Sequence, residues 1–267
     1  MGRDSERPPR REKPHPEKQE RIEREFGVPI PGQILDPELW ARTAIKKLPA
    51  EKPLDWEAIF GRRAPIVLDL GCGNGRFTLA SGITRPHVDH LAVDILPVVI
   101  RYATRRGNQR GLSNVRFAVI GGSELLREYI PPGSVSEIHC YHPQPYYDQK
   151  EIHKRLVTPA FLALAHRALI PGGLLVLQTD HPAYWKYMLD ITSKFFAFNE
   201  RAGKWPESPR GRTRREILAM KKGITVNRGE GRRRDELSPD EVNQLAESLP
   251  LPTFKADRAR DPLAKWE

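Results

Sequence analysis

The chain of 267 residues and 30.5 kDa can bury one sizeable core and still leave tails. No run approaches the roughly 18 apolar residues of a membrane span, the N-terminus has no signal-peptide stretch, and both cysteines, Cys72 and Cys140, lie in apolar strand contexts, so a reduced, cytoplasmic protein free of membrane and metal is expected. The net charge is +10 with a pI near 9.7, and one short region, residues 201–234, carries nearly the whole imbalance.

In chain order, residues 1–25 hold eight Lys/Arg, seven Asp/Glu and almost nothing apolar, and are expected to be a disordered charged tail. Residues 26–53 are Pro-rich and read as an irregular arm with a short helix near Leu39. Asp55 is placed to cap a short helix through Phe60 that Gly61 ends. From residue 66 onward, apolar runs at 66–70, 90–95, 115–120, 134–141 and 174–179 predict strands. Helices are expected between them, starting at Arg76, over 97–110 up to Gly111, and from 121–123 through Tyr129. A polar loop at 142–151 then leads into a helix with the apolar stripe Leu156, Ala160, Phe161, Leu164, Ala165 and Leu169. This alternation predicts an α/β fold with a doubly wound, mostly parallel sheet and right-handed crossovers. Past residue 180 the pattern predicts a helix over 182–194, a helix near 213–220, and an antiparallel pair formed by the runs 195–198 and 223–226. The main domain is thus expected over 54–230. A C-terminal tail, 231–267, carries one short helix that opens with the capping box Ser238-Pro239-Asp240-Glu241. Residues 201–234 hold twelve Lys/Arg against three Glu, a local balance of +9, and are expected to meet phosphates.

The stretch with the clearest chemistry is Ile66-Val67-Leu68-Asp69-Leu70-Gly71-Cys72-Gly73-Asn74-Gly75. It reads as a buried strand with an acid near its end, followed by three alternate glycines that lead into a helix. Glycine permits positive φ and close approach of a ligand to the backbone, and open α/β sheets bind ligands beyond the carboxyl ends of their strands. The dinucleotide fingerprint G-x-G-x-x-G would need glycine where Arg76 stands. Asp94 follows Gly75 by nineteen residues and closes the next strand, a spacing suited to an acid that accepts from ribose hydroxyls. The eight histidines form no cluster, and none is assigned to a metal.

The G-x-G-x-G run preceded by an acid resembles the first motif of the S-adenosylmethionine-dependent methyltransferases. Downstream, His142-Pro143-Gln144-Pro145-Tyr146, Ile152-His153-Lys154-Arg155-Leu156-Val157, Leu169-Ile170-Pro171-Gly172-Gly173 and Gln178-Thr179-Asp180-His181-Pro182-Ala183-Tyr184 occur in that order. With Thr213-Arg214-Arg215-Glu216 after them, they resemble the tRNA (guanine-N7)-methyltransferase family over roughly residues 54–230. That family has F-P-D-P-W after its fourth strand, K-R-R at the next helix, T-D-x-x-x-Y after the fifth strand and a late T-x-x-E.

The resemblance implies a class I methyltransferase sheet of seven strands, an S-adenosylmethionine cofactor and a tRNA guanine as acceptor. It implies cofactor contacts at Asp69, Gly71, Gly73, Gly75, Asp94 and Gly121, and substrate contacts at Asp148, Asp180, Thr213 and Glu216. Gln144 takes the catalytic position. Three of these depart from the family pattern: Gly121 where many relatives have an acid or amide, Gln144 where the family has aspartate, and Asp148 in place of a lysine. Because the departures fall in the site, two other readings stay open: an inactive tRNA-binding protein, and an adenine or amine methyltransferase using Gln-Pro-Tyr. Tyr146 and Tyr147, beside basic residues, are candidates for base stacking. Oligomeric state has no signal in the sequence.

Overall fold

In the computed structural model, which describes residues 22–256, 258, 261 and 263, the chain opens with a hairpin of β1 (Arg24–Glu25) and β2 (Val28–Pro29). Both turn residues, Phe26 and Gly27, have positive φ, as a two-residue hairpin turn demands. Most of the tail expected over 1–25 lies outside the described residues. The arm continues through a single 3-10 turn at Pro37–Leu39 to a short strand β3 (Ala44–Ile45) and then α1 (Trp56–Phe60). Asp55 caps α1 by accepting from the amides of Glu57 and Ala58, and Gly61 ends it at φ +74°.

The strands and helices of the domain follow as β4 (Ile66–Leu70), α2 (Arg76–Thr84), β5 (Asp89–Asp94), α3 (Pro97–Gln109), β6 (Val115–Val119), α4 (Gly122–Glu128), β7 (Val135–Tyr141), α5 (Pro159–Ala168), β8 (Leu169–Thr179) and α6 (Pro182–Phe195). After them come β9 (Phe196–Glu200), α7 (Arg214–Lys221), β10 (Asn227–Arg233) and α8 (Pro239–Ser248). The main sheet runs β3-β6-β5-β4-β7-β8-β10-β9, parallel except where β10 pairs antiparallel with β8 and β9. The chain winds outward from β4 to one edge, returns to β7, and winds to the other. The topological switch point therefore lies beside the end of β4, where a doubly wound sheet opens its crevice.

Every residue of β4 is buried, because helices cover both faces. Ile66, Leu68 and Leu70 belong to the larger core, with Leu125, Phe161, Leu177 and Met188 from α4, α5, β8 and α6. The opposite face forms a smaller core of Leu79, Ala92, Ile100, Ala103 and Phe117. α8 shows both hydrogen bonds of the Ser238–Glu241 capping box and buries Val242 in the larger core, so the C-terminal helix docks.

Two expectations need correction. The sheet has eight strands, not seven, because β3 of the arm adds an edge to β6. The antiparallel strand expected at 223–226 lies instead at Asn227–Arg233, and Ile224 and Val226 pack beneath α7 against Leu218 and Ala219. β10 is mostly arginine and glycine, so it carries no apolar signature. Its glycines are needed for packing: a Cβ on Gly229 would sit 2.5 Å from the Phe198 ring, and one on Gly231 would sit 2.6 Å from the Phe198 Cα.

Candidate active site

The carboxyl ends of β4, β5, β6 and β7, the start of α7 and the N-terminal hairpin surround one cavity of about 970 Å³. At its floor the chain leaves β4 through Gly71, Gly73 and Gly75, all at positive φ. A Cβ on Gly71 or Gly73 would meet nothing within 4 Å, so these two glycines keep the cradle open. Gly75 does different work. A Cβ there would lie 2.8 Å from that of Ala103, so this glycine lets α2 start close against α3.

Asp69 is buried at the end of β4, where Thr78 Oγ1 donates to its Oδ2 at 2.5 Å and its Oδ1 has no partner. Burial, aided by the charge of Asp94 and opposed by the Thr78 bond, pushes its carboxyl up to about 7. Asp94 accepts from the Gly73 amide at 3.0 Å and the Leu96 amide at 2.9 Å. Those bonds tie the glycine loop to the start of α3 and leave lone pairs of the carboxylate facing the cavity. Gly121, the N-cap of α4, lines the same wall.

The far end is formed by the loop after β7. His142 at φ +50° and Tyr146 at φ +43° bracket Pro143-Gln144-Pro145 in left-handed backbone that disfavours a Cβ, which fixes the loop in an unusual shape. Arg155, 2% exposed, holds that shape by donating to the carbonyls of Pro145 and Tyr146. It also donates to the carbonyls of Pro252 and Phe254 and stacks on the Phe254 ring at 3.7 Å. Arg155 is thus an internal clamp of the loop, its guanidinium turned away from solvent. Lys150, His153 and Lys154 remain exposed.

Beneath the loop runs a polar chain. Trp205 Nε1 donates to Gln178 Oε1 at 2.6 Å, and Gln178 Nε2 donates to His142 Nε2 at 2.9 Å. With its proton on Nδ1, His142 then donates to Asp180 Oδ1 at 2.9 Å. Arg215 Nε also donates to Asp180, at 2.9 and 3.1 Å, while its Nη2 reaches Asp261 at 3.0 Å. Burial works to raise the Asp180 carboxyl, but His142 and then Arg215 outweigh it and hold that group well below the usual range. Leu263, 1% exposed, closes this end against Leu218 and Ala219.

The expected site residues thus separate. Asp69, Gly71, Gly73, Asp94, Gly121, Gln144 and Thr213 line the one cavity, and Gln144 stands exposed at its mouth. Thr213 also caps α7 by accepting from the Glu216 amide at 3.1 Å. Asp180 lies behind the wall in its ion pairs, and Asp148 turns outward, accepting from the Lys150 amide at 2.9 Å. Glu216 is wholly buried: its Oε1 accepts from Arg228 at 2.6 and 3.1 Å, and its Oε2 from the Arg212 amide at 2.7 Å. Much of the basic segment is likewise turned inward. Arg212 stacks on Trp205 at 3.6 Å and donates to the Tyr141 hydroxyl at 2.7 Å, while Arg215 and Arg228 are held by carboxylates. Lys204, Arg210, Arg214, Lys221, Lys222 and Arg232 are its exposed cations, and of these Arg214 lines the cavity.

The sequence profile of the family described as "Putative methyltransferase" matches residues 63–229. A tRNA (guanine-N(7)-)-methyltransferase of Alkalilimnicola ehrlichii is 32% identical over 191 residues, 70% of this chain and 81% of that protein. The chain belongs to this family. Another member, the tRNA (guanine-N(7)-)-methyltransferase of Methylococcus capsulatus, is 34% identical over 177 residues, 66% of this chain and 75% of its own. Solved structures agree on the fold. The 16S rRNA methyltransferase KamB superposes with a TM-score of 0.52 at 15% identity, covering 68% of this chain and 95% of its own. A 16S rRNA (adenine(1408)-N(1))-methyltransferase from Catenulisporales acidiphilia, solved with its cosubstrate SAM, gives 0.50 at 15% identity, over 70% and 95%. The class I methyltransferase sheet is therefore established for this family member. Sequence reading did not single out Arg212 or Trp205 for the site, since neither falls in a family motif; Arg212 stands one residue before Thr213.

Proposed function

We propose that this protein transfers a methyl group from S-adenosylmethionine to N7 of a guanine in tRNA. What carries the reading is one cavity that joins the glycine cradle of a methyltransferase family member to the Pro143-Gln144-Pro145 loop, with tRNA (guanine-N(7)-)-methyltransferases as its relatives. The residues present fit the cofactor: the cradle at Gly71 and Gly73 is open where a Cβ would intrude, and Asp69 Oδ1 is buried without a partner in the same cavity. When bound, S-adenosylmethionine supplies an electrophilic methyl on its sulfonium.

In this reading Asp94 accepts from the ribose hydroxyls and Asp69 from the cofactor's ammonium. Guanine N7 carries a free lone pair in the neutral base, so no general base is required, and the protein works by alignment and electrostatics. Gln144 orients the base by hydrogen bonds, its carbonyl accepting and its amide donating. Asp180 and Glu216 support the acceptor end from behind, through Arg215 and through Arg228 with the Arg212 amide. Lys150, Lys154, Lys204 and Arg210 are the exposed cations assigned to tRNA phosphates. A cytoplasmic location belongs to the same proposal; among the described residues no helix is long and apolar enough to cross a membrane. No group of three His, Cys, Asp or Glu among those residues is arranged to hold a metal ion.

The deciding experiment is labelled methyl transfer to unmodified bulk tRNA followed by nucleoside analysis. 7-Methylguanosine is the expected product. A methylated adenosine would move the reading to the amine alternative, and no methyl transfer despite cofactor binding would leave a tRNA-binding protein. Two further outcomes follow from the geometry. Asp94→Ala should weaken S-adenosylhomocysteine binding by roughly 1–3 kcal/mol, the cost of losing hydrogen bonds to a charged group, measured by calorimetry. Gln144→Asp should raise kcat by on the order of tenfold, because a carboxylate beside the methylated, cationic guanine favours the charge that develops there. A fall in kcat would mean that the pocket is built around the glutamine amide.

A further inference from the structure

Nine buried side-chain atoms among the described residues lack a hydrogen-bond partner, and three of them belong to residues lining the large cavity: Glu25 Oε2, Asp69 Oδ1 and Arg76 Nη1. The other six belong to residues outside it. Asp69 Oδ1 has no partner at all, and Glu25 Oε2 and Arg76 Nη1 meet only each other, at 3.6 Å without a hydrogen bond, so all three keep hydrogen-bonding capacity that a ligand with complementary groups would fill. Two are carboxylate oxygens that require donors, and one is a guanidinium N–H that requires an acceptor. An α-amino acid terminus offers both, an ammonium and a carboxylate, and as a zwitterion it adds no net charge.

The free atoms are held in place by their partners' bonds. Glu25 Oε1 accepts from Asn74 Nδ2 of the glycine loop and from Arg106 Nη1 at 3.1 Å. Arg106 in turn donates to Glu23 at 2.7 Å and to the Asn74 carbonyl at 3.3 Å. Arg76 Nη2 donates to the Pro29 carbonyl at 2.7 Å, and its Nη1 stays 3.6 Å from Glu25 Oε2, an ion pair too long to be a hydrogen bond. The hairpin β1–β2 is thus bolted to the glycine loop, with one carboxylate oxygen and one guanidinium nitrogen that share an ion pair but have no hydrogen bond. Glu25 lies outside the matched span of 63–229.

We propose that Glu25 and Arg76 bind the amino-acid end of the cofactor, Glu25 taking its ammonium together with Asp69 and Arg76 taking its carboxylate, so that the N-terminal hairpin is part of the cofactor site. This rests on the cavity being the S-adenosylmethionine site and is independent of which base is methylated. It also gives a role to Arg76, which stands where the dinucleotide motif has its third glycine.

The test is calorimetric binding of three ligands to the full-length protein without tRNA. S-Adenosylhomocysteine carries both charged groups, decarboxylated S-adenosylmethionine only the ammonium, and 5′-methylthioadenosine neither. Glu25→Gln should weaken the first two by about tenfold or more and leave the third within about twofold. Arg76→Gln should weaken S-adenosylhomocysteine alone by a similar factor. Equal weakening of all three ligands would show that the hairpin merely supports the loop, and unchanged binding would remove both residues from the site; either result overturns the proposal. If Arg76→Gln does not fold, Glu25→Gln against the three ligands decides. Failure of the wild-type protein to bind any of them would overturn the cofactor site itself, whereas a negative tRNA assay with these binding patterns intact would overturn only the acceptor reading.

Discussion

Replacing Glu216 by alanine should destabilise the fold by about 3–5 kcal/mol, the usual result of removing one partner from a buried ion pair. Glu216 is wholly buried, and its two oxygens satisfy the Arg228 guanidinium and the Arg212 amide. Without it, Arg228, 6% exposed, keeps only the Val226 carbonyl at 2.6 Å, and the Arg212 amide loses its acceptor. For a chain of this size the loss corresponds to a fall in Tm of roughly 10 °C, readable by calorimetry. The double variant Glu216→Leu with Arg228→Met should recover most of it, since apolar side chains of similar volume replace buried ion pairs at little cost. Because β10 and the start of α7 are joined through this pair, Glu216→Ala should also loosen the loop that carries Arg212 and Thr213. A direct guanine contact predicts the opposite pattern, with an unchanged Tm and a raised KM for tRNA. That result would return Glu216 to the substrate.

The difference between those two roles marks where sequence reading ends. β4 was legible because a strand covered on both faces tends to a continuous apolar run, β5, β6 and β7 showed as shorter apolar-rich runs, and their alternation with helices implied the topology. β10 was not, because Gly229 and Gly231 are selected by the ring of Phe198 across the sheet, a contact with no local trace. The proposed cofactor end was visible for a related reason: short, fixed spacings along one supersecondary unit bring Asp69, Gly71, Gly73 and Asp94 to one cavity. The acceptor end depends on pairs that meet only in the folded chain. Arg215 finds Asp180 and Asp261 from outside the basic segment and Arg228 finds Glu216 within it, so the charge that counts as +9 along the sequence does not all stand free at the surface. Composition reports charges without reporting which of them are neutralised. Glu25 was invisible on both grounds, lying in a charged N-terminal stretch and reaching Asn74 and Arg106 from 49 and 81 residues away.

Asp69 should make the free protein less stable as pH rises from about 4 to about 7. Its carboxyl stands near 7 in the folded chain, against an ordinary value of 3.8. The folded state therefore binds more protons than the unfolded state throughout that window. Stability from this group is complete below about 4, declines as pH rises, and is lost above about 7, for a total on the order of 4 kcal/mol. Asp69→Asn should remove that slope while the other groups keep theirs, so the difference between the two Tm-against-pH curves isolates it. Cofactor binding should respond with the opposite sign, because an ammonium beside Asp69 Oδ1 favours the ionised carboxylate. The affinity for S-adenosylhomocysteine should then rise by up to about tenfold per pH unit below 7 and level off above it. Binding near pH 6 should release a proton, detectable as a dependence of the calorimetric heat on the ionisation enthalpy of the buffer. Asp69→Asn should bind more weakly at pH 8 and show neither the slope nor the proton. A wild-type affinity that stays flat from pH 5.5 to 8 would mean that the ammonium lies elsewhere and that the unpartnered oxygen of Asp69 serves the fold alone.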